Sequence, residues 1–284
     1  MNYSQITVGI VTFKSENVIF DCLKSIKKIK NIIILDNSND KILKKKINKK
    51  YPKIKILLSK KNLGYGAANN SIIKKSKTPF VFILSPDVML QKNCEENLLK
   101  NINKLKQNFA IISPIPNIKN YFFFKNKKLT KKKIFEVNYV HGFAMMVNKL
   151  KIKNIGMFDE KIFLYTEEDD LCKRLILANQ KIYIIKNAKV LHLGAKSSNI
   201  GFEFDKCRNW HWGWSKVYFE KKYANNFFVY LKFIFKLFIQ MLKIIFYIIL
   251  LNKKEAINKT MRFLGTLNSL LGRDSWYRPK FNFD

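Results

Sequence analysis

Apolar residues gather near the N-terminus in short runs: ITVGIVTF at 6–13, NIIILD at 31–36, KIKILLS at 53–59 and FVFILSPD at 80–87. Runs of this length, rich in Ile and Val, predict strands. Between them, apolar positions at helical spacing predict amphipathic helices over 16–28, 66–76 and 93–106. A lysine-rich stretch separates the second run from the third. Strands alternating with helices predict an α/β fold built on a mostly parallel sheet, buried on both faces. Sheets of that kind bind ligands beyond the carboxyl ends of their strands. The informative residues are then Thr12 and Phe13, Asp36 to Ser38, Asn62 to Gly66, and Ser85 to Asp87.

Further on the pattern changes twice. Residues 116–136 are lysine-rich around a YFFFK core and predict a hairpin or loop insertion, and residues 137–195 hold the densest chemistry. From about 199 the chain turns aromatic and then strongly apolar, with no internal repeat.

Charge adds a second layer. The 284 residues carry 54 Lys+Arg against 20 Asp+Glu, a formal net charge of +34. A hydrophobic content of 48% excludes a disordered basic tail. Five of the basic residues are arginines and the rest lysines. Nucleic-acid readers use arginine for bidentate contacts, so no specific nucleic-acid partner is expected. Lys, Ile and Asn are all abundant, so part of the charge is compositional. The remainder suits an anionic substrate and an anionic membrane surface. Cys22, Cys94, Cys172 and Cys207 form no C-x-x-C pair, which argues against a disulfide framework or a zinc knuckle and for a reducing compartment. The residues after Met1 lack the basic and apolar regions of a secretion signal, so secretion is not expected.

Against that basic background, Glu167, Glu168, Asp169 and Asp170 are four consecutive acids. Leu171, Leu175 and Ile176 follow at helical spacing, so the acids form the first turn of a helix, where the dipole favours carboxylates. A plain acidic helix start is one reading. The other is a general base with substrate-binding carboxylates, Glu167 and Asp170 sharing a face and Glu168 pointing elsewhere. His192 closes a second apolar run and is either structural or, with the nearby acids, a metal or phosphate contact. His141 in YVHGFAMMV says little by itself.

Taken in order, VGIVTF, DNSND, NLGYGAANN, SPDV, HGFAMMV, GMFDEKIFLYTEEDDLCKRL and VLHLGAKSS resemble the inverting glycosyltransferase family 2, of GT-A fold. The resemblance is strongest to its rhamnosyltransferase-like branch in bacterial surface polysaccharide synthesis. It covers roughly residues 5–200 and implies a catalytic domain over 1–200, with a nucleotide-binding half to about 110 and an acceptor-binding half after it. A helical region at 201–284 follows. The resemblance implies that Asp36 bonds the pyrimidine base, that Thr12, Asn62, Gly64 and Asn70 lie near the nucleotide, and that Asp87 is the first acid of a D-x-D metal motif. The sequence departs there, since Asp87-Val88-Met89 lacks the second carboxylate. His192 matches a histidine near the diphosphate, which with Asp87 implies a Mg²⁺ or Mn²⁺ site. Glu168 falls on the catalytic base, with Asp170 and Glu167 as fallbacks. Gly142, Phe143 and Arg174 fall on the acceptor side. A dTDP- or UDP-sugar donor and a lipid-linked saccharide acceptor are implied with them. Two rival readings are a dinucleotide-binding fold on Gly64-x-Gly66-x-x-Asn69, which lacks the third glycine, and a non-catalytic polybasic binding module.

Residues 227–251 are long enough to span a bilayer, but Lys232, Lys236, Gln240 and Lys243 interrupt them within roughly 80° of helical arc. That stripe favours a helix lying in the interface, lysines toward headgroups, over one that spans or packs on protein. Trp210, Trp212 and Trp214 beside Arg208 suggest an interfacial aromatic surface near such an acceptor. The expected place is the cytoplasmic face of the inner membrane, peripheral or monotopic.

Overall fold

The computed structural model describes residues 1–116, 133–194 and 201–278. It divides into two compact units, Met1–Asp159 with Glu168–Asn199, and Glu160–Glu167 with Ile200–Asp284.

The first unit is a sheet flanked by helices. In chain order it contains β1 (Ile6–Thr12), α1 (Glu16–Ser25), β2 (Asn31–Asp36), α2 (Lys41–Lys50), β3 (Lys55–Leu58), α3 (Tyr65–Lys75), β4 (Phe80–Leu84), β5 (Val88–Leu90), α4 (Cys94–Lys104), β6 (Ile111–Pro116), β7 (Ile134–Glu136), β8 (Ala144–Asn148), α5 (Lys149–Ile155), α6 (Glu167–Leu177) and β9 (Ile182–His192). All four predicted strands and all three predicted helices form. The lysine-rich stretch between β2 and β3 is also a helix, α2. Asp40 caps it by accepting the Leu43 N–H, and Leu43 and Ile47, one turn apart, bury its inner face.

The strand order is β3-β2-β1-β4-β8-β6-β9-β5, with β7 beside β9. β1, β2, β3 and β4 pair in parallel. β8 then runs antiparallel to both β4 and β6, and β5 and β7 run antiparallel to β9. The sheet is therefore mixed, which corrects the expectation of a mostly parallel one. Helical crossovers keep the first four strands parallel; no helix joins β4 to β5 or β7 to β8, so those strands need no crossover geometry. Core side chains cover both faces of the sheet. Ile10, Ile34, Phe82 and Met146 lie in one cluster, and Ile33, Val81, Met145 and Val147 in the other.

Two internal features set the loops around this sheet. Buried Glu95, near the start of α4, accepts the backbone N–H groups of Lys27, Lys28 and Ile29, which fixes the turn between α1 and β2. All four cysteines are buried and free, and burial pushes the Cys94, Cys172 and Cys207 thiols up to about 12. The insertion expected at 116–136 falls mostly outside the described residues, as do residues 195–198 of the VLHLGAKSS stretch.

The second unit holds α7 (Phe202–Tyr223), α8 (Asn226–Ile249) and α9 (Lys253–Leu270). Gly213 and Gly265 set the crossing of α7 and α9. A Cβ on Gly213 would lie 2.3 Å from the Arg262 carbonyl oxygen, and one on Gly265 would lie 1.9 Å from that of Trp210. Of the tryptophans on α7, only Trp212 is exposed (43%); Trp210 and Trp214, one turn apart, are 1% and 2% exposed. The expected interfacial surface of three tryptophans is thus a single one, because a helix sends alternate residues to different sides. Among the described residues no helix is long and apolar enough to cross a membrane.

Candidate active site

The parallel strands deliver their last residues to one edge. Thr12 and Asp36 are register partners at the ends of β1 and β2. Buried Asp36 accepts the Thr12 hydroxyl at 2.8 Å, the Ser38 hydroxyl at 2.9 Å and the Asp40 backbone N–H at 2.8 Å. A carboxylate offers about four acceptor positions, so room remains for one further donor. Asn37 ties this loop to the next: its amide donates to the Gly64 carbonyl at 3.1 Å and accepts the Leu63 N–H at 3.2 Å. Asn62 closes the turn by accepting the Gly64 N–H at 3.0 Å. Gly64 caps α3 at φ 81°, ψ −178°, a conformation that a side chain would strain.

Asp87 sits in the turn from β4 to β5. β5 pairs with β9 so that Val88 opposes His192. His192 Nε2 comes within 3.4 Å of Asp87 Oδ2. Both Asp87 carboxylate oxygens are buried with no hydrogen-bond partner among the described residues. Buried polar atoms are rarely left so, and an oxygen pair beside an imidazole fits a divalent cation whose other ligands come from elsewhere. No group of three or more metal-ligating side chains occurs among the described residues, and Met89 stands where the second acid of the motif would be.

A row of rings leads away from this pair. Phe143 stacks on His192 at 4.3 Å and on His141 at 5.6 Å, and Tyr139 meets His141 edge-on at 4.9 Å. Burial and the nearby His192 lower the His141 pKa to about 4, which keeps that ring neutral at neutral pH. At the far end, the Tyr139 hydroxyl and the Gly142 N–H both donate to Glu168 Oε1, at 3.4 and 3.3 Å. Tyr65 braces the same loop by donating to the Gly142 carbonyl at 2.6 Å. Burial raises the Glu168 pKa, and its backbone and Tyr139 hydrogen bonds oppose the rise. A carboxyl group so placed suits a general base working near neutrality.

Glu168 stands in the first turn of α6, as read from the acidic cluster. Its neighbours have other placements. Buried Asp170 accepts from Arg174 Nε at 2.8 Å, and the rest of that guanidinium donates to the carbonyls of Ile155, Gly156 and Met157. The structure therefore joins Arg174 and Asp170 in a clasp that ties α6 to the chain at 155–157. Asn70 is likewise committed: its amide pairs both ways with the backbone of Phe158, at 2.9 and 3.0 Å. That pairing anchors a loop. Glu167 is buried and belongs to the second unit. Phe143 belongs to the His192 stack, and Gly142 to Glu168. Tyr139 was not singled out by the sequence, His141 said little by itself, and Asn37 entered only within the strand-end segment Asp36 to Ser38. The alternation of Tyr139, His141 and Phe143 was a readable signal, since extended chain puts such residues on one side.

Replacing Tyr139 with Phe removes one donor to the Glu168 carboxylate. The carboxylate form loses support, so the pKa of Glu168 rises further. The acid limb of kcat/KM is expected to move to higher pH, with a few-fold loss in rate at neutral pH. A pH–rate profile of the variant checks both.

Comparison with known proteins bears on the family and the fold. The family described as glycosyl transferase family 2 matches residues 7–170. The low-salt glycan biosynthesis hexosyltransferase Agl10 of Haloferax volcanii is 26% identical over 190 residues, covering 60% of this chain and 61% of that protein. The rhamnosyltransferase WbbL of Escherichia coli K12 is 25% identical over 210 residues, covering 63% of this chain and 78% of that protein. Among solved structures, the mannosyltransferase PcManGT of Pyrobaculum calidifontis, in complex with GDP-Man and Mn²⁺, superposes with a TM-score of 0.59 at 9% identity. The match covers 94% of this chain and 87% of that one. At that identity the likeness is one of fold.

Proposed function

Since the chain belongs to glycosyl transferase family 2, we propose that it moves rhamnose or another hexose from a dTDP- or UDP-sugar to a hydroxyl of a lipid-linked saccharide, with inversion, in surface polysaccharide or lipopolysaccharide synthesis. Two relatives, one named a hexosyltransferase of glycan biosynthesis and one a rhamnosyltransferase, support the sugar class. One observation carries the mechanism: Glu168 has a raised pKa and an oxygen held by Gly142 and Tyr139.

The steps follow from these residues. Glu168 takes the proton of the acceptor hydroxyl as its oxygen attacks the anomeric carbon. The bond from that carbon to the diphosphate oxygen breaks, and its electron pair leaves with the diphosphate. Single displacement inverts the anomeric configuration, with no covalent sugar–protein intermediate. Asp87 and His192 would hold a divalent cation, which when bound offsets negative charge on the leaving diphosphate. Asp36, with its room for one more donor, would take the base N–H. The loops carrying Asn62 and Gly64 would approach the nucleotide through backbone.

The acceptor and the setting belong to the same proposal. The lysine-rich composition suits a cytoplasmic membrane face, with the protein peripheral or monotopic. The test is a screen of nucleotide sugars with an acceptor extract, divalent metal present and absent, read as free nucleotide. Release from one donor class, stimulated by metal, is expected. No release above background from any donor would sink the proposal and favour a non-catalytic binding protein.

A further inference from the structure

Among the described residues, one helix face of the second unit is left without a protein partner. α8 is held on one side, where Val229 and Phe233 pack with Val217 of α7 and Leu270 of α9. On the opposite side Phe227, Leu231, Phe235, Phe238, Leu242 and Phe246 are exposed, and Ile234, Met241, Ile245 and Ile249 widen the same surface. At 100° per residue these side chains cover roughly 140° of arc along about 33 Å of helix. A patch of that extent is far beyond what a soluble surface ordinarily shows.

Charge selects the occupant. α8 contains no acidic residue, and its outward arc contains no charged residue. Lys232, Lys236 and Lys243 form a border between the outward arc and the packed side, not a stripe through the middle of the exposed one. Lys232 pairs with Glu220, and burial lowers the pKa of Lys236, whose ammonium lies 4.5 Å from the Phe233 ring. Over residues 216–259 there are nine lysines against two glutamates. A second copy of the chain would bring an identical basic surface against this one and repel it. An anionic leaflet offers both what the arc needs and what the border needs, hydrocarbon under the phenylalanines and phosphates beside the lysines.

We propose that the outward face of α8 docks in the plane of an anionic lipid bilayer, with Phe235, Phe238 and Leu242 in the acyl boundary and the lysine border at headgroup level. The inference rests on the membrane setting proposed above and deepens it by naming the surface. It makes no use of the catalytic residues.

The test uses the full chain and vesicles of phosphatidylcholine, with and without an equal part of phosphatidylglycerol, read by co-sedimentation. Binding is expected on the anionic vesicles and to weaken with salt. The combined exposed-site variant Phe235→Ser, Phe238→Ser, Leu242→Ser is expected to lose about tenfold or more of it. Lys243→Glu is expected to lose about threefold on anionic vesicles alone. Three results would overturn the proposal: no vesicle binding, equal binding to both compositions, or a wild-type dimer in sedimentation equilibrium that the triple variant dissociates. Nucleotide release in solution stands apart from all three. Vesicle binding without donor turnover condemns the catalytic reading, and turnover without vesicle binding condemns this one.

Discussion

Glu168→Gln is expected to lower turnover of the sugar donor by about two to four orders of magnitude, with donor KM changed by only a few-fold. The amide keeps the shape of the side chain and an oxygen that can still accept the Gly142 N–H. What it loses is the ability to take a proton from the acceptor hydroxyl. The pH dependence carries the same assignment. The base works deprotonated, and burial has raised its pKa, so the rate falls as pH drops through a value above the ordinary glutamate range. The variant should lose that acid limb together with its rate. Undiminished turnover in Glu168→Gln would remove Glu168 as the base. Asp170 is a poor substitute, because its carboxylate is already paired with Arg174.

Gly265→Ala is expected to destabilise the second unit by about 3 kcal/mol or more. The new methyl would meet main chain: the Trp210 carbonyl oxygen at 1.9 Å, its carbon at 2.8 Å and the Trp214 nitrogen at 3.1 Å. No rotamer relieves a clash with backbone, so α7 and α9 must part and loosen Trp210 and Trp214 with them. Gly272→Ala is the control. Its φ of 73° disfavours a side chain, but a Cβ there would meet nothing within 4 Å, so it should cost only about 1 kcal/mol. Denaturant unfolding of the two variants distinguishes contact from conformation. Equal losses would mean that the helix crossing tolerates a methyl group.

The parts of this molecule legible in the sequence are those whose signal is local. β1 and β4 announce themselves because every residue in them is buried and apolar runs are all they can be. The acidic start of α6 was legible because four acids in a basic chain need a helix start or a use; the choice of Glu168 among them came only from the family resemblance. α2 was passed over because lysines outnumber its two buried residues, although Asp40 and the Leu43–Ile47 spacing were there to be read. The antiparallel half of the sheet was hidden for a deeper reason: whether β8 runs with or against β4 depends on where the intervening chain returns, which no local pattern states. The same holds for Arg174 and Asn70. A motif gives their positions, but their partners, the carbonyls at 155–157 and the backbone of Phe158, come from distant chain. The tryptophans show the opposite error, since helical periodicity already separated Trp212 from Trp210 and Trp214.

The placement of aromatic and sulfur side chains makes the two units separately observable. All four tryptophans, at 210, 212, 214 and 276, belong to the second unit, while Cys22, Cys94 and Cys172 belong to the first. Indole fluorescence therefore sees only the helices. The three thiols, buried and held in the unreactive form, become labelled only when the sheet opens. One denaturation series followed by both signals will show whether the chain melts in one step or two. In the Gly265→Ala variant the fluorescence midpoint should fall; labelling of those three thiols falls with it if the chain melts in one step and keeps its wild-type dependence on denaturant if it melts in two.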